Sequence, residues 1–534
     1  MTQSEIWQVL TTSALLGTER HPFELPQAGD GALGALLTNL PEKYAANPEH
    51  SLLSAAAALT LYRHAGTLPS QDNSSLPHCC APETLAPCLA LSASHLHTML
   101  AGEYGAALSE WLEEAARRGK VVPPDQLPVL LGLGQTQPSF RPYILPVIGN
   151  RGHWLANIYK VHNQWAYVRD ASTIATPDDE STRALWETGS IESRMAVLQS
   201  LRSTRPDHAR TLVESVWKQE SASARNQFIY ALRTGLSMSD EPFLESALDD
   251  KSKDVRSNAA DLLADLPESR YMQRMIEATT PLISLKRLRQ GKLFGLSASN
   301  KDYIKVALSQ DYTPNMKRDG IEQKPNNPRM GERAYWLHQQ LCRIPPRIWT
   351  ERWGVEPREI IMSALQTKDW KDVLVEAWIA ATVRHNDAAW AEAFLAHGLS
   401  SLSQYAPERL VRLLDPRRRD ELVTSTLTRQ PQALYTDDMP IAVLWTLRKP
   451  WPTEVCRAIL RSVSHHIKHT PRHGNWQVSQ SLSTFAYSMA PTLLQEAESI
   501  LTTTDATPNN LKAAADEFLS TLQFRRDMLQ ALAE

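Results

Sequence analysis

The chain has 534 residues and a formal net charge of -3, with 42% hydrophobic and 22% charged residues. This length is too great for one compact core, so we expect either several domains or a solenoid. The near-neutral charge gives no global signal for nucleic acid or membrane, and no stretch approaches the roughly 20 apolar residues that span a bilayer. Five cysteines without a regular framework favour reduced thiols and a cytoplasmic location.

Residues 1–180 are predicted to form an N-terminal helical domain. Helical patterns cover 1–66 and resume at 89–117, on either side of a polar, proline-bounded loop at 67–82. The motif Gly-x-Gly-x-x-Gly occurs at 29–34. A dinucleotide-binding loop of this kind follows a strand, but the proline-flanked segment before it cannot be a central strand. We therefore interpret it as a loop that leads into a helix, and we predict no dinucleotide site there.

The next segment, 181–283, contains a regular repeat. Arg194, Arg225 and Arg256 recur at one constant interval, and Leu201, Leu232 and Leu263 recur at the same interval. A fixed period of this length indicates one supersecondary unit copied along the chain. The spacing of apolar residues predicts two short amphipathic helices per unit. Because one such pair cannot bury both of its apolar faces, neighbouring pairs must stack.

The third copy, from Asp250 to Leu263, resembles the second half of a HEAT repeat. In that family an Asp and an Arg with the spacing of Asp250 and Arg256 form a ladder between successive units, and the resemblance implies this structural role for both residues. Thr188 and Gln219 occupy the Asp position in the earlier copies, so the ladder is not expected there. We interpret the repeated arginines as inter-repeat bonding residues rather than ligand-binding residues.

Residues 284–330 interrupt the helical pattern. Lys292–Ser297 and Tyr303–Leu308 have the residue types of strands, which predicts a small β-hairpin, and a flexible segment is expected over 311–329. From 331 to 534, proline stops divide the chain into short helices, as in a C-terminal helical solenoid. The predicted fold class is all-α, an α-solenoid of HEAT-like helical hairpins with a small irregular or β-hairpin insert.

The insert is also the clearest candidate for a charged binding surface. From Ser284 to Arg333 there are eleven Lys or Arg residues against five Asp or Glu. Four of these cations lie close together in the sequence: Lys286, Arg287, Arg289 and Lys292. One interpretation is a hairpin whose charges are solvated by water. The other is a partner-binding site that attracts an acidic protein or a phosphate backbone.

The sequence predicts no catalytic, cofactor-binding or metal site. It contains no Walker A loop, His-Glu-x-x-His or Gly-x-Ser-x-Gly motif. Its two clusters of possible metal ligands, at 78–97 and 465–473, lack the spacing of zinc fingers or ribbons. We interpret the first as part of a packed helix and its flanking loop, and the second as a basic, solvated helix end.

Several short sequence segments together resemble those of an uncharacterised bacterial family of helical-repeat proteins. They are Leu15–Arg20 (LLGTER), Arg151–Ala156 (RGHWLA), Asp240–Leu244 (DEPFL), Arg318–Ile321 (RDGI), Gly331–Leu337 (GERAYWL) and Asp387–Ala391 (DAAWA). Genes of that family tend to lie beside those for a MoxR-type AAA+ ATPase, a von Willebrand factor A protein and a SWIM zinc-finger protein. The resemblance implies a non-catalytic component of such a system, with the ATPase or the von Willebrand factor A protein as a partner.

Three hypotheses for the function follow. The first is a non-catalytic scaffold that binds partner proteins on a stack of helices. The second is a nucleic-acid-binding solenoid similar to the HEAT-type alkylpurine glycosylases, against which the near-neutral charge weighs. The third is a hydrolase with catalytic residues scattered in the sequence, for which no residues can be named. The scaffold is favoured, and no enzyme activity is expected.

Overall fold

The computed structural model describes residues 3–18, 21, 32–44, 46–66, 78–159, 164–166, 180–287, 302–325, 330–469, 476–501 and 509–534. Helices dominate these residues, and the only sheets among them are two short pairs of strands. The predicted all-α class is therefore confirmed. None of the helices in these ranges has both the length and the apolar character needed to cross a bilayer.

The chain divides into two compact units, residues 1–79 and 80–534. The helices of the first unit are α1 (Gln3–Leu16), α2 (Ala32–Lys43) and α3 (Pro48–Gly66). Their apolar side chains meet in a small core that includes Ile6, Leu37 and Leu59. The division between the units falls inside the segment 1–180 that the sequence predicts as one domain.

The second unit begins with a helical segment that carries a parallel strand pair, β1 (Ala86–Pro87) and β2 (Lys120–Val121). Its helices are α4 (Ala90–Leu100), α5 (Leu108–Arg117), α6 (Leu127–Thr136), α7 (Arg141–Ile144) and α8 (Gly149–Ile158). Proline stands in the first turn of α6 and of α7, where its missing N–H group costs no helical hydrogen bond.

The repeats, which follow helix α9 (Glu180–Thr188), are helix pairs whose first members begin at one constant interval. The first members are α10 (Ile191–Thr204), α12 (Ala222–Ala231) and α14 (Lys253–Ala264), and the second members are α11 (Pro206–Val216), α13 (Glu241–Ala247) and α15 (Arg270–Thr279). Each first helix starts after a serine at the N-cap position, namely Ser190, Ser221 and Ser252. The hydroxyl groups of the first two serines accept a backbone N–H bond of the first turn, which stabilises the helix start. Successive first helices pack against one another.

The insert contains an antiparallel strand pair, β3 (Ile283–Lys286) and β4 (Tyr303–Val306), followed by the short helix α16 (Pro314–Arg318). Strand β4 lies where the sequence predicts a strand, whereas β3 lies before the predicted first strand. That predicted strand, Lys292–Ser297, is outside the described residues. Ile283 and Ile304 are buried because alternate side chains of a strand point to the same face, which here packs on the core.

The remaining helices form the C-terminal part of the second unit. They are α17 (Glu332–Leu341), α18 (Arg347–Trp353), α19 (Pro357–Gln366), α20 (Lys371–Arg384), α21 (Ala388–Leu395), α22 (Glu408–Val411), α23 (Pro416–Arg429), α24 (Thr453–His469), α25 (Trp476–Phe485), α26 (Leu494–Leu501) and α27 (Asn509–Ala533). Gly354 ends α18 in the left-handed conformation that glycine adopts without strain.

The described residues of the second unit form two hydrophobic cores. The larger one includes side chains from Trp186 to Leu522. The smaller one gathers side chains from 96–166 and is completed by Met528 and Leu532 of α27. Helix α27 therefore contributes to both cores and joins the beginning of this unit to its end.

Candidate functional site

Two of the three repeated arginines join neighbouring repeats through carboxylates. Arg194 donates to Glu220 at 2.7 Å, and Arg225 donates to both oxygens of Asp250 at 2.7 and 3.0 Å. The ladder thus includes the earlier copies, where the sequence did not lead us to expect it. Glu220, the residue after Gln219, supplies the missing carboxylate.

Asp250 and Arg256, the two residues assigned to the ladder, take different partners. Asp250 accepts from Arg225 of the preceding repeat. The Arg256 guanidinium donates to the main-chain oxygens of Asp250 at 2.7 Å and Lys251 at 3.0 Å. Arg256 therefore fixes the turn before helix α14 instead of bonding a carboxylate.

A second set of ion pairs also connects the repeats. The side chains of Arg202 and Asp240 are fully buried and form two hydrogen bonds of 2.9 Å. The remaining N–H groups of Arg202 are bonded by main-chain oxygens of Pro206, Leu232, Thr234 and Gly235. Two further pairs continue between α13 and α15: Glu241 with Arg270, and Glu245 with Arg274. These arginines are engaged in bonds between neighbouring helix pairs.

The predicted partner-binding cations are only partly described. Lys286 ends strand β3 and is exposed, and Arg287 follows it, also exposed. Arg289 and Lys292 lie outside the described residues. The structure therefore gives positions for two of the four residues.

Arg287 lies beside an acidic cleft of about 920 Å³. Its Nε atom is 3.8 Å from an oxygen of Asp302. The charged side chains that line the cleft are Arg287, Arg347, Asp302, Glu351, Glu356, Glu359 and Asp387. Because carboxylates outnumber arginines there, the positive charge of Arg287 is offset locally.

Loop 319–323 is held in place by side chains from elsewhere in the chain. Each of its residues has a backbone N–H or C=O group in such a bond, and the pairs are Tyr271 with Asp319, Arg343 with Gly320, Tyr312 with Ile321, Gln339 with Glu322, and Trp336 with Gln323. Burial raises the pKa of Tyr271 to about 12, so its hydroxyl group remains a donor to the Asp319 carbonyl. The sequence predicts a flexible segment over 311–329, and within it these bonds fix the backbone of residues 319–323.

Gly320 allows loop 319–323 to approach helix α14 closely. Its φ angle of +71° is in the left-handed region, and an added Cβ atom would lie 2.9 Å from the Cβ atom of Ala260 and 3.3 Å from the Cα atom of Ser257. A larger residue would clash there and would also be strained in its backbone. The loop and the helix are consequently fixed as two walls of a cavity.

This cavity, about 480 Å³ in volume, is lined by four cations and one carboxylate. We call it the basic pocket, and its charged residues are Lys253, Arg256, Lys317, Glu322 and Lys324. Lys253 Nζ lies 2.9 Å from Glu322 Oε1, and this hydrogen bond raises the pKa of Lys253. Lys317 and Lys324 are exposed. The pocket therefore has a net positive charge on a fixed framework.

The sequence contained only part of the signal for the basic pocket. Lys317 and Lys324 belong to the basic segment 284–333, but Lys253 and Arg256 belong to the third repeat. Only the folded chain brings the two groups together. The Asp-Gly pair at 319–320 was a usable signal, because it is typical of a turn that needs a left-handed residue.

The two clusters of possible metal ligands have other surroundings. His465 and His469 stack on helix α24 with ring centroids 4.2 Å apart, and His473 lies outside the described residues. His95 packs edge-on against Phe524. Within the ranges that the structure describes, no group of three or more His, Cys, Asp or Glu residues is placed to hold a metal ion.

Comparison with known proteins identifies a family. A family model described as a family of unknown function (DUF5691) matches residues 9–532. Neither the curated proteins nor the solved structures contain a match to the chain.

Proposed function

We propose that this chain, which belongs to that family of unknown function, is a non-catalytic scaffold that binds partner proteins on an α-solenoid of HEAT-like helix pairs. The observation that carries the proposal is the stacking of the repeats, whose first helices begin at one constant interval and whose arginines bond carboxylates of the next repeat. Stacked helix pairs of this kind present a long surface to other proteins.

The low reactivity of two buried thiols also supports a structural role for the regions around them. Burial raises the pKa of Cys342 to about 12 and that of Cys456 to about 11. Because the thiolate is the nucleophilic form of cysteine, neither thiol is activated for attack at neutral pH.

The basic insert is the proposed contact for the partner. Lys286, Arg287, Arg289 and Lys292 form the proposed partner-binding set, and the two described members are exposed. An acidic protein surface is the expected complement of such a set. Within the system that the family resemblance suggests, the candidate partners are the MoxR-type AAA+ ATPase and the von Willebrand factor A protein.

Affinity purification of the tagged full chain from cells that express it tests this proposal. A variant in which the four cations of the partner-binding set are replaced by glutamate should lose a co-purifying protein. A matched control reverses four exposed cations outside the insert: Arg352, Lys368, Arg417 and Lys512. The proposal is wrong if the wild-type chain retains no protein partner, or if both variants lose it equally.

The same two variants decide the nucleic-acid alternative. Binding of duplex DNA that weakens steeply with salt, and that the reversal in the insert abolishes while the control reversal does not, would favour a nucleic-acid-binding solenoid. Loss of a protein partner without any affinity for DNA would favour the scaffold.

A further inference from the structure

We propose that the basic pocket binds the phosphate group of a small phosphorylated molecule. The site lies between the first turn of helix α14, helix α16 and loop 319–323, apart from the partner-binding set. Its volume of about 480 Å³ lies within the roughly 300–1,000 Å³ that small-molecule sites occupy.

The net positive charge of the pocket favours the binding of an anion. Arg256 is held by two main-chain oxygens, and Lys253, whose side chain is 64% exposed, is paired with Glu322 at 2.9 Å. Lys317 and Lys324 add two positive charges from helix α16 and from the chain that follows loop 319–323. With Glu322 as the one carboxylate in the lining, the net charge of +3 matches a phosphate monoester, which carries close to two negative charges at neutral pH.

The framework around these cations is already rigid. Five side chains bond the backbone of loop 319–323, and Gly320 seats the loop directly on helix α14. A site that is held in one conformation before binding loses little conformational entropy when the ligand arrives. Binding should therefore order only the lysine side chains.

The uncharged part of the lining fits an organic phosphate better than the free ion. Tyr312 and Ile321 line the same cavity, and the Tyr312 hydroxyl donates to the Ile321 carbonyl at 2.6 Å. This bond fixes the tyrosine ring at the wall of the pocket. An aromatic ring beside cations can contact a sugar or a base while the cations bond the phosphate.

Isothermal titration calorimetry of the full chain tests the proposal with adenosine monophosphate, inorganic phosphate and adenosine as probes. We expect adenosine monophosphate to bind and adenosine to give no heat of binding. Tighter binding of adenosine monophosphate than of inorganic phosphate assigns the site to a phosphate ester, whereas equal affinity assigns it to the free ion. If neither phosphate compound binds, or if adenosine binds as well as its monophosphate, the proposal is wrong.

A matched pair of variants distinguishes the loss of contacts in the pocket from a general effect of protein charge on binding. Lys317→Glu with Lys324→Glu should weaken binding by about 100-fold, because each charge-assisted contact contributes roughly tenfold. Lys305→Glu with Lys368→Glu changes the charge by the same amount on exposed residues outside the pocket and outside the partner-binding set, and it should leave the affinity unchanged. Equal losses in both variants would overturn the proposal.

Chemical labelling of the wild-type chain gives a second measurement that needs no variant. An amine-reactive reagent should modify Lys317 and Lys324 more slowly when adenosine monophosphate is present. Lys286 and Lys305 should react at the same rate with and without it. Unchanged labelling of all four lysines at a concentration where calorimetry shows binding would place the ligand elsewhere.

Discussion

The repeats and the basic pocket use cations in different ways. In the repeats, arginines such as Arg202 and Arg225 are bonded to buried or nearly buried carboxylates, and each forms two hydrogen bonds to its partner. In the pocket, Lys317 and Lys324 extend into solvent. The planar guanidinium group matches a carboxylate in two bonds, whereas the ammonium group of lysine is strongly hydrated and mobile. We infer that the arginines hold the repeats together and that the lysines remain accessible to a ligand.

Removing the buried arginine should give the largest effect. Arg202→Ala leaves Asp240 buried without its main partner, and we expect a loss of about 3–5 kcal/mol in the free energy of unfolding. Urea denaturation followed by circular dichroism measures this loss.

Arg233, which occupies the position of Arg202 in the next repeat, provides the matched control. Its side chain is 56% exposed and lies 3.8 Å from Asp265, so Arg233→Ala should cost less than about 1 kcal/mol. Equal losses in the two variants would contradict a special role for the buried pair.

The contact between loop 319–323 and helix α14 should be the next most sensitive point. Gly320→Ala places a Cβ atom in the left-handed region and against Ala260, at an expected cost of about 1–3 kcal/mol. In contrast, Gly132→Ala adds a Cβ atom with no atom within 4 Å in helix α6, and it should stabilise the chain by about 0.5–1 kcal/mol. Thermal unfolding of both variants checks the opposite signs.

We expect the free energy of unfolding to decrease in mild acid because of His385, which lies where α17 and α20 meet. Burial lowers the pKa of His385 below its ordinary value of 6.5, although its ring donates to the Arg343 carbonyl at 2.9 Å. As the pH falls below about 6.5, the unfolded chain binds a proton at this residue and the folded chain does not, so stability decreases by up to about 1.4 kcal/mol per pH unit.

His385→Gln removes this titration and keeps a polar side chain. Urea denaturation at pH 7.5 and pH 5.5 should show a smaller loss of unfolding free energy for the variant than for the wild type. The same loss in both chains would show that other groups, such as the paired carboxylates, account for the acid sensitivity.

The smallest effect is expected where the pocket lysines are replaced. Lys317→Glu with Lys324→Glu alters exposed side chains, so the free energy of unfolding should change by no more than about 0.5 kcal/mol. A loss as large as that of Gly320→Ala would mean that these lysines hold loop 319–323 in place.

The repeats were predictable because their signals are local. The constant interval between copies, the serines before the first helices and the apolar stripes can all be read from short stretches of sequence, and the helices begin where these signals place them. Strand β3 was not predicted, because the sequence pattern placed the first strand at Lys292–Ser297, which lies outside the described residues. A hairpin with a short connection is the simplest interpretation of such a pattern.

The basic pocket could be predicted only in part. Its four cations come from two segments that are far apart in the sequence, one in the third repeat and one in the insert. The bonds that fix loop 319–323 come from residues up to 48 positions away, as for Tyr271 and Asp319. Such contacts depend on how distant helices and loops pack, and a local pattern contains no information on that. For the same reason the pairing of Arg202 with Asp240 could not be derived from sequence.

The ion pair between Glu110 of α5 and Arg525 of α27 links residues 415 positions apart, with two hydrogen bonds of 2.6 and 2.7 Å. Met528 and Leu532 complete the hydrophobic core of residues 96–166. During synthesis on the ribosome, the parts of α4 and α5 that pack on α27 are therefore covered only after α27 has emerged. Until then Met528 and Leu532 cannot complete the core, and the apolar surface left exposed would favour binding of a chaperone.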